Sequence, residues 1–405
     1  MKSIFVSITL VSFVFILFIP DYTSAELKIF VKEYTYQASD FDSKMSSRTI
    51  ALEQVRRLLL EEVGTYLISE TDVKDFQLTK DRITTLSAGV VQTEILNETW
   101  DGKTYYLRAR ISIDPQEVTK LIAELRYNTQ KNQELEETNR KVDEALRRIK
   151  QLQDELAIGQ SSENKQNEYA KAVAKLKAKE WIDRGVAFMN AENYEGGLSA
   201  FKNAVEIDPT NSWAYINKGW ALNTRGDYYE AIKEFDFAAA IDPQNPWIYI
   251  NRGVSYNFLE NYQQGLLDEE RAINLDATIS WAYIDRGWSY IGLGEFNQAL
   301  ADLNKAAQLD PKNPHVYHLR VWAHHGLGNK RQALEDIETS LNLAPNNSWT
   351  LWNIAAYYAL QGEKEKSLAA LGRAIRINSA FKKMAKTNKS FQSLWNDVDF
   401  RKIVD

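Results

Sequence analysis

Not one cysteine occurs in the 405 residues. That removes disulfides, thiolate metal sites, cysteine nucleophiles and the lipid-anchoring cysteine that follows some signal sequences. Positive charge is not in excess either: 49 Lys and Arg against 55 Asp and Glu leave a net charge of -6, which gives no electrostatic reason to expect nucleic acid. Gly-rich phosphate loops, zinc-protease motifs, serine elbows and kinase signatures are all missing. Nothing in the sequence therefore asks for a catalytic site or a cofactor. After the first 25 residues no second long apolar run occurs, so no further membrane span is expected. With 44% hydrophobic and 26% charged residues, the composition is that of an ordinary folded chain. Its length calls for two or more domains.

Lys2 precedes the apolar run Ile4–Ile19, and Thr23-Ser24-Ala25 offers small residues before Glu26. This three-part layout predicts a secretory signal over residues 1–25. The run falls short of the roughly 20 residues of a full span, and an uncleaved N-terminal anchor is the alternative. In both cases the rest of the chain is expected outside the cytoplasmic membrane, in the periplasm, and touches the membrane only through this segment.

Residues 26–115 predict a small α+β domain. Lys28–Tyr36 favours a strand, and Ile50, Val55, Leu58, Leu59 and Val63 give Ser43–Leu67 helical spacing. Gly89–Leu96 and Thr104–Ile113 predict a hairpin, with Asp101-Gly102 at its turn. The stretch TTLSAGVVQTEIL and the hairpin after it resemble the N-terminal domain of exported proteins like the flagellar assembly protein T family. Residues 116–158 then carry Val118, Leu121, Leu125, Asn128, Asn132, Leu135, Asn139, Val142, Leu146, Ile149, Gln153 and Leu156 in steps of three and four. A sustained 3.5-residue repeat between charged residues predicts a coiled-coil seam, and buried Asn in that seam favours two strands. A homodimer through this helix is one expectation and a solvated monomeric spacer the other. Residues 159–177 break the helix at Gly159-Gln160-Ser161-Ser162 and continue into a Lys/Ala-rich helix.

From Ala178 the chain repeats every 34 residues, with copies starting at Ser212, Pro246, Ser280, Pro314 and Ser348. In the clearest copy, SWAYINKGWALNTRGDYYEAIKEFDFAAAIDPQN, the recurring positions are Tyr215, Gly219, Leu222, Ala231, Phe235 and Pro243. This spacing resembles the tetratricopeptide-repeat family. The resemblance implies a mainly α fold, a right-handed superhelix of six helix pairs over 178–381. One pair cannot bury its own apolar face, so stacking supplies the core and an end cap is needed. Residues 382–405, with Phe391, Leu394, Trp395 and Phe400, are expected to form that cap.

The family resemblance places positions 2, 5, 6, 9, 12 and 13 of each first helix on the concave groove. Position 2 holds Trp213, Trp247, Trp281 and Trp349; position 5 includes Ile216, Ile250 and Ile284; position 9 includes Trp220, Trp288 and Trp322. Asn217, Asn251 and Asn353 at position 6 partly resemble the asparagine ladder by which some members grip a ligand's backbone, an amide being able to donate and accept. Aromatic stripes at helical spacing also serve as core, and packing between neighbouring helices is the competing expectation. A Trp-rich exposed patch would instead favour a protein or peptide ligand, an extended apolar segment. The column Arg184, Lys218, Arg252, Arg286 and Arg320 is expected to pair with carboxylates such as Asp302 and Asp336. His315, His318, His324 and His325 share one helix, and three of them, His315, His318 and His325, could share the groove face to bind a metal or to sense pH near 6.5. Glu269 stands where other copies have Phe201, Phe235, Leu303 or Ile337; a lone buried carboxylate there predicts a looser third repeat. The functional expectation is an exported scaffold that binds a partner protein. An envelope, flagellar or pilus assembly role through the N-terminal domain is the rival.

Overall fold

The computed structural model describes residues 27–70, 79–125, 129–157 and 163–405. The expected signal segment lies outside the described residues. Strand β1 (Lys28–Gln37), helices α1 (Lys44–Glu70) and α2 (Lys80–Ala88), and strands β2 (Glu94–Trp100) and β3 (Thr104–Ile113) form the N-terminal unit. The sheet is antiparallel in the order β1-β3-β2. Alternation decides its faces: Tyr105, Leu107, Ala109, Ile111 and Ile113 of the central strand are buried, one residue in two as a pleated strand requires. They join Val55, Leu59, Val63 and Leu67 of α1 in one core. The hairpin turn forms because Gly102 adopts φ +99° and Asp101 Oδ1 accepts from the Lys103 and Thr104 backbone N–H groups at 2.8 and 2.6 Å. The predicted strand from Gly89 starts only at Glu94, because Gly89 closes α2 instead.

Over the expected long polar helix the described residues form α3 (Pro115–Leu125) and α4 (Thr129–Ala157). The seam expected to face a second copy is buried within one chain. Val142, Leu146, Ile149 and Leu152 of α4 enter the N-terminal core, together with Tyr169, Ala172 and Leu176 of the next helix, α5 (Glu163–Asn190). In this chain the C-terminal part of that apolar stripe packs on the N-terminal core and α5. A small polar cluster pins the same junction: the Tyr36 hydroxyl donates to Asp42 Oδ2 at 3.0 Å, Gln153 Nε2 donates to that oxygen at 3.2 Å, and the Tyr169 hydroxyl donates to Asp42 Oδ1. Helix α5 runs unbroken from this core into the first repeat, where Ile182, Gly185 and Met189 are buried. The sequence repeat begins at Ala178, and the helix carries straight across that boundary.

Six helix pairs follow: α5 with α6 (Tyr194–Ile207), α7 (Ser212–Arg225) with α8 (Tyr228–Ile241), α9 (Pro246–Phe258) with α10 (Tyr262–Leu275), α11 (Ser280–Gly292) with α12 (Phe296–Leu309), α13 (Pro314–Gly326) with α14 (Lys330–Leu343), and α15 (Ser348–Leu360) with α16 (Lys364–Ile377). Side chains of Asn211, Asn245, Asn313 and Asn347 cap four of the first helices, satisfying N–H groups that have no partner within the helix. The first four pairs close on glycine, at Gly185, Gly219, Gly253 and Gly287. A Cβ on Gly219 would lie 2.6 Å from the Phe235 ring, so only glycine lets α7 and α8 approach this closely. Helix α17 (Phe381–Ala385), a 3-10 turn over Lys389–Leu394 and α18 (Val398–Val404) end the chain. Phe391, Leu394 and Phe400 are buried there against Trp352 and Leu371 of the last pair. No helix among the described residues is long and apolar enough to cross a membrane.

Candidate functional site: the concave face of the repeats

The first helix of each pair lines the inner face, and its residues divide into three groups. Ile216, Ile250 and Ile284 are buried between helices with exposures of 1 to 4%, in the apolar clusters that join neighbouring pairs. Trp213 and Trp247 are also buried, at 2% and 1%, and what covers them includes α4. The Trp213 Nε1 donates to Glu137 Oε2 at 2.7 Å, the Trp247 Nε1 to Gln133 Oε1 at 2.6 Å, and the Asn217 amide to Glu134 Oε1 at 3.0 Å. In chain order α4 runs from the third repeat back toward the first. The third group is open: Trp220 is more than one-third exposed, and Trp281, Trp288, Trp322, Trp349, Asn251 and Asn353 are half-buried.

The asparagine ladder has a different first partner from the one expected. Asn217, Asn251 and Asn353 each donate to the carbonyl four residues back, that of Trp213, Trp247 and Trp349, at 2.7 to 2.9 Å. Of the three, Asn217 also reaches α4, and Asn353 Oδ1 accepts from Trp322 Nε1 at 2.7 Å. Their neighbour in the column, Asp183, is held from two sides: Arg56 of the N-terminal unit lies 3.0 Å and Lys179 of its own helix 2.8 Å from its Oδ2. Burial alone would push the Asp183 carboxyl up, and the two cations more than offset it and hold the group below its usual value.

Deeper in the solenoid the inner face is closed by rings. Phe258 stacks on Tyr228 with ring centres 4.8 Å apart, meets Trp288 edge-on at 5.0 Å and comes within 6.2 Å of Trp349. The sequence reading does not single out Phe258, although position 13 faces the groove and an aromatic there is the available signal. Its contact with Trp349 sets the third repeat against the sixth, so the winding brings distant repeats face to face. His315 and His318 lie ring to ring at 4.9 Å, and His315 lies 5.1 Å from Trp281. His325 instead packs on Trp322 and Tyr357. The three-histidine site is therefore not assembled, and no group of three or more metal-ligating side chains occurs among the described residues. Burial pushes His315 down to about 4 and His318 well below its ordinary value. Both are neutral at neutral pH rather than poised near it.

The basic column is paired: Lys218 with Glu234 at 2.8 Å, Arg252 with Asp268 at 2.6 Å, Arg286 with Asp302 at 2.7 Å and Arg320 with Asp336 at 3.3 Å. These four pairs are seams between the two helices of their repeats, whereas Arg184, first in the column, pairs with Glu180 of its own helix at 2.7 Å and is about half exposed. Glu269 is not alone either. Fully buried, it accepts from Asn257 Nδ2 at 2.9 Å and from the Ser289 hydroxyl at 2.8 Å. Burial first, and then the neighbouring Asp285, push its carboxyl well up. The same Ser289 hydroxyl also lies within hydrogen-bond distance of Asn257 Oδ1, at 2.7 Å, and one repeat earlier Ser255 donates to Asn223 Oδ1 at 2.9 Å. The third repeat is therefore latched to its neighbours by polar side chains rather than loosened, which corrects the expectation drawn from Glu269 alone.

Comparison with known proteins bears on the repeats. Tetratricopeptide-repeat family models match residues 200–233, 219–257, 280–313 and 314–347. No curated protein matches the sequence. Among solved structures, a thermophilic TPR protein of Thermus thermophilus shares 20% identity over 43% of this chain and 94% of its own, with a TM-score of 0.40. The type IV pilus biogenesis factor PilW shares 15% over 54% and 97%, TM-score 0.43. The PilF protein of Pseudomonas aeruginosa shares 16% over 55% and 97%, TM-score 0.41. Helix pairs recurring every 34 residues, and family matches of which those over 280–313 and 314–347 coincide with a pair, identify the repeats of this chain as tetratricopeptide repeats.

Proposed function

We propose that the chain is an exported scaffold, without catalytic activity of its own, that holds a segment of a partner protein against the inner face of its repeats in the periplasm. The observation that carries this reading is the run of partly open indoles, Trp220, Trp281, Trp288, Trp322 and Trp349, with Asn251 and Asn353 among them. Indoles joined to amide groups favour a peptide segment with apolar side chains, since tryptophans dominate interface energetics and an amide can meet a backbone without reading its sequence. Export rests on the N-terminal apolar run and the small residues before Glu26. The binding unit in this reading is a single copy, because the α4 seam is already buried against the N-terminal core.

Cross-linking in intact envelopes, followed by mass spectrometry, tests the scaffold. Trp220→Ala and Trp288→Ala are expected to lower recovery of the cross-linked partner at least tenfold while the circular dichroism stays native. Undiminished recovery from a folded double variant would overturn the groove. Location is tested separately: the mature chain is expected in the periplasmic fraction, and recovery in the cytoplasm would remove that part of the reading.

A further inference from the structure

The two ends of α4 are held in different ways. Its second half is anchored by apolar burial, through Val142, Leu146, Ile149 and Leu152 in the N-terminal core. Its first half meets α7 and α9 through the polar tips of Gln133, Glu134 and Glu137, whereas its closest helix packing is on α5 and α2. A cleft of about 450 Å³ remains between these tips, Trp213 and the turn that leads to Pro246. The first half of α4 therefore occupies the face without filling it. Gln133, Glu134 and Glu137 accept there from two indole N–H groups and one amide, at positions 2 and 6 of first helices.

Those donors limit what can replace α4. A wholly apolar ligand over Trp213, Asn217 and Trp247 would leave three buried donors unpaired, which costs more than the lost bonds were worth. The replacement must bring oxygen acceptors at matching spacing. On a helix, residues i, i+1 and i+4 cover about one turn, and Gln133, Glu134 and Glu137 fall at that spacing.

We propose that residues 129–141 act as a built-in ligand of the first repeats, and that the partner is an acidic helix carrying a carboxamide and two carboxylates at i, i+1 and i+4, which takes their place on Trp247, Asn217 and Trp213. This deepens the scaffold reading and rests on it. The open distal indoles hold the partner's apolar portion, and the proximal face selects its acidic turn. The chain is closed to weak ligands, since any partner competes with a tethered copy of the same chemistry.

The test uses the full chain and a labelled synthetic peptide of residues 129–141, with binding read by fluorescence anisotropy. A chain carrying Gln133→Ala, Glu134→Ala and Glu137→Ala is expected to bind the peptide at least tenfold tighter than the wild type, because its own competitor is weakened. Adding Trp213→Phe and Trp247→Phe, which keep a ring but remove the indole N–H, is expected to cancel that gain. A peptide with the same three residues changed to Ala is expected to bind neither chain. Equal binding to wild-type and triple-variant chains, no binding to either, or a gain that survives the Trp→Phe changes would each overturn the proposal. Urea midpoints of all chains confirm folding. If exchange occurs as expected but envelope cross-linking recovers no partner, the ligand chemistry stands and the scaffold reading falls. The reverse result sinks the ligand chemistry alone.

Discussion

Asp285 is expected to make the stability of the repeats fall with rising pH, and Asp285→Asn should abolish most of that fall. The side chain is 4% exposed, and its Oδ2 has no hydrogen-bond partner among the described residues. Burial pushes its carboxyl from 3.8 up to about 8. A carboxyl raised on folding contributes fully below its unfolded value and loses that contribution as pH climbs through the folded value. The folded chain thus holds a proton that the unfolded chain has released across the window from about 4 to 8. Each pH unit in that window costs about 1.4 kcal/mol, which sums to about 4 kcal/mol by neutral pH. Glu269 next door shares the effect, because the Asp285 charge is the second cause of its own upward shift. Asparagine has nearly the same shape and no charge to desolvate. At pH 4.5 the variant and the wild type should unfold at similar urea concentrations; at pH 7.5 the variant should be more stable by about 2–4 kcal/mol, seen as a higher midpoint at unchanged slope. Parallel pH curves for the two proteins would refute the reasoning, since they would mean that water or a cation reaches the carboxylate.

Two further outcomes follow from packing. Gly219→Ala pushes a methyl to within 2.6 Å of the Phe235 ring and should destabilise the second repeat by about 1–3 kcal/mol; an unchanged urea midpoint would show that the helix pair can separate without cost. Phe391→Ala removes a side chain with no exposed surface from the end cap, and a loss of about 3–5 kcal/mol is expected. Hydrogen exchange should speed up first in α15 and α16, and exchange that rises evenly over all six pairs would contradict a local cap.

The repeat region is legible in the sequence because the contact between the two helices of a pair recurs at a fixed spacing. A glycine such as Gly219 meets a bulky side chain such as Phe235, sixteen residues on, and Gly185 with Phe201 and Gly287 with Leu303 repeat the arrangement. Residues 118–156 do read as a helical seam, but a heptad says only that an apolar stripe will be covered, not by which helix. A second copy and the chain's own N-terminal core satisfy it equally well. The same ambiguity hides the site. Trp213 and Trp247 can be read as groove residues or as core, and in the structure both are buried with α4 bonded to their indole N–H groups, an outcome that no periodicity inside the repeats contains. Glu269 misleads for a related reason: Asn257 and Ser289 stand 12 and 20 residues away on two other helices, and their meeting depends on how consecutive pairs stack. The histidines share a helix, while their rings sort by what packs against them, Trp281 for His315 and Tyr357 for His325.

Helix α5 has a mechanical consequence. Its 28 residues make a rod of about 42 Å that belongs at one end to the core beneath the sheet and at the other to the first helix pair. Nothing between the two is a loop, so the N-terminal unit cannot swivel on the solenoid as a bead on a string would. A pull on the distal repeats arrives at the sheet as torque on a single shaft. Bending that shaft would tear Tyr169 from Asp42 at one end or Asp183 from Arg56 at the other. Tension on a captured partner would thus be felt at the far end of the molecule.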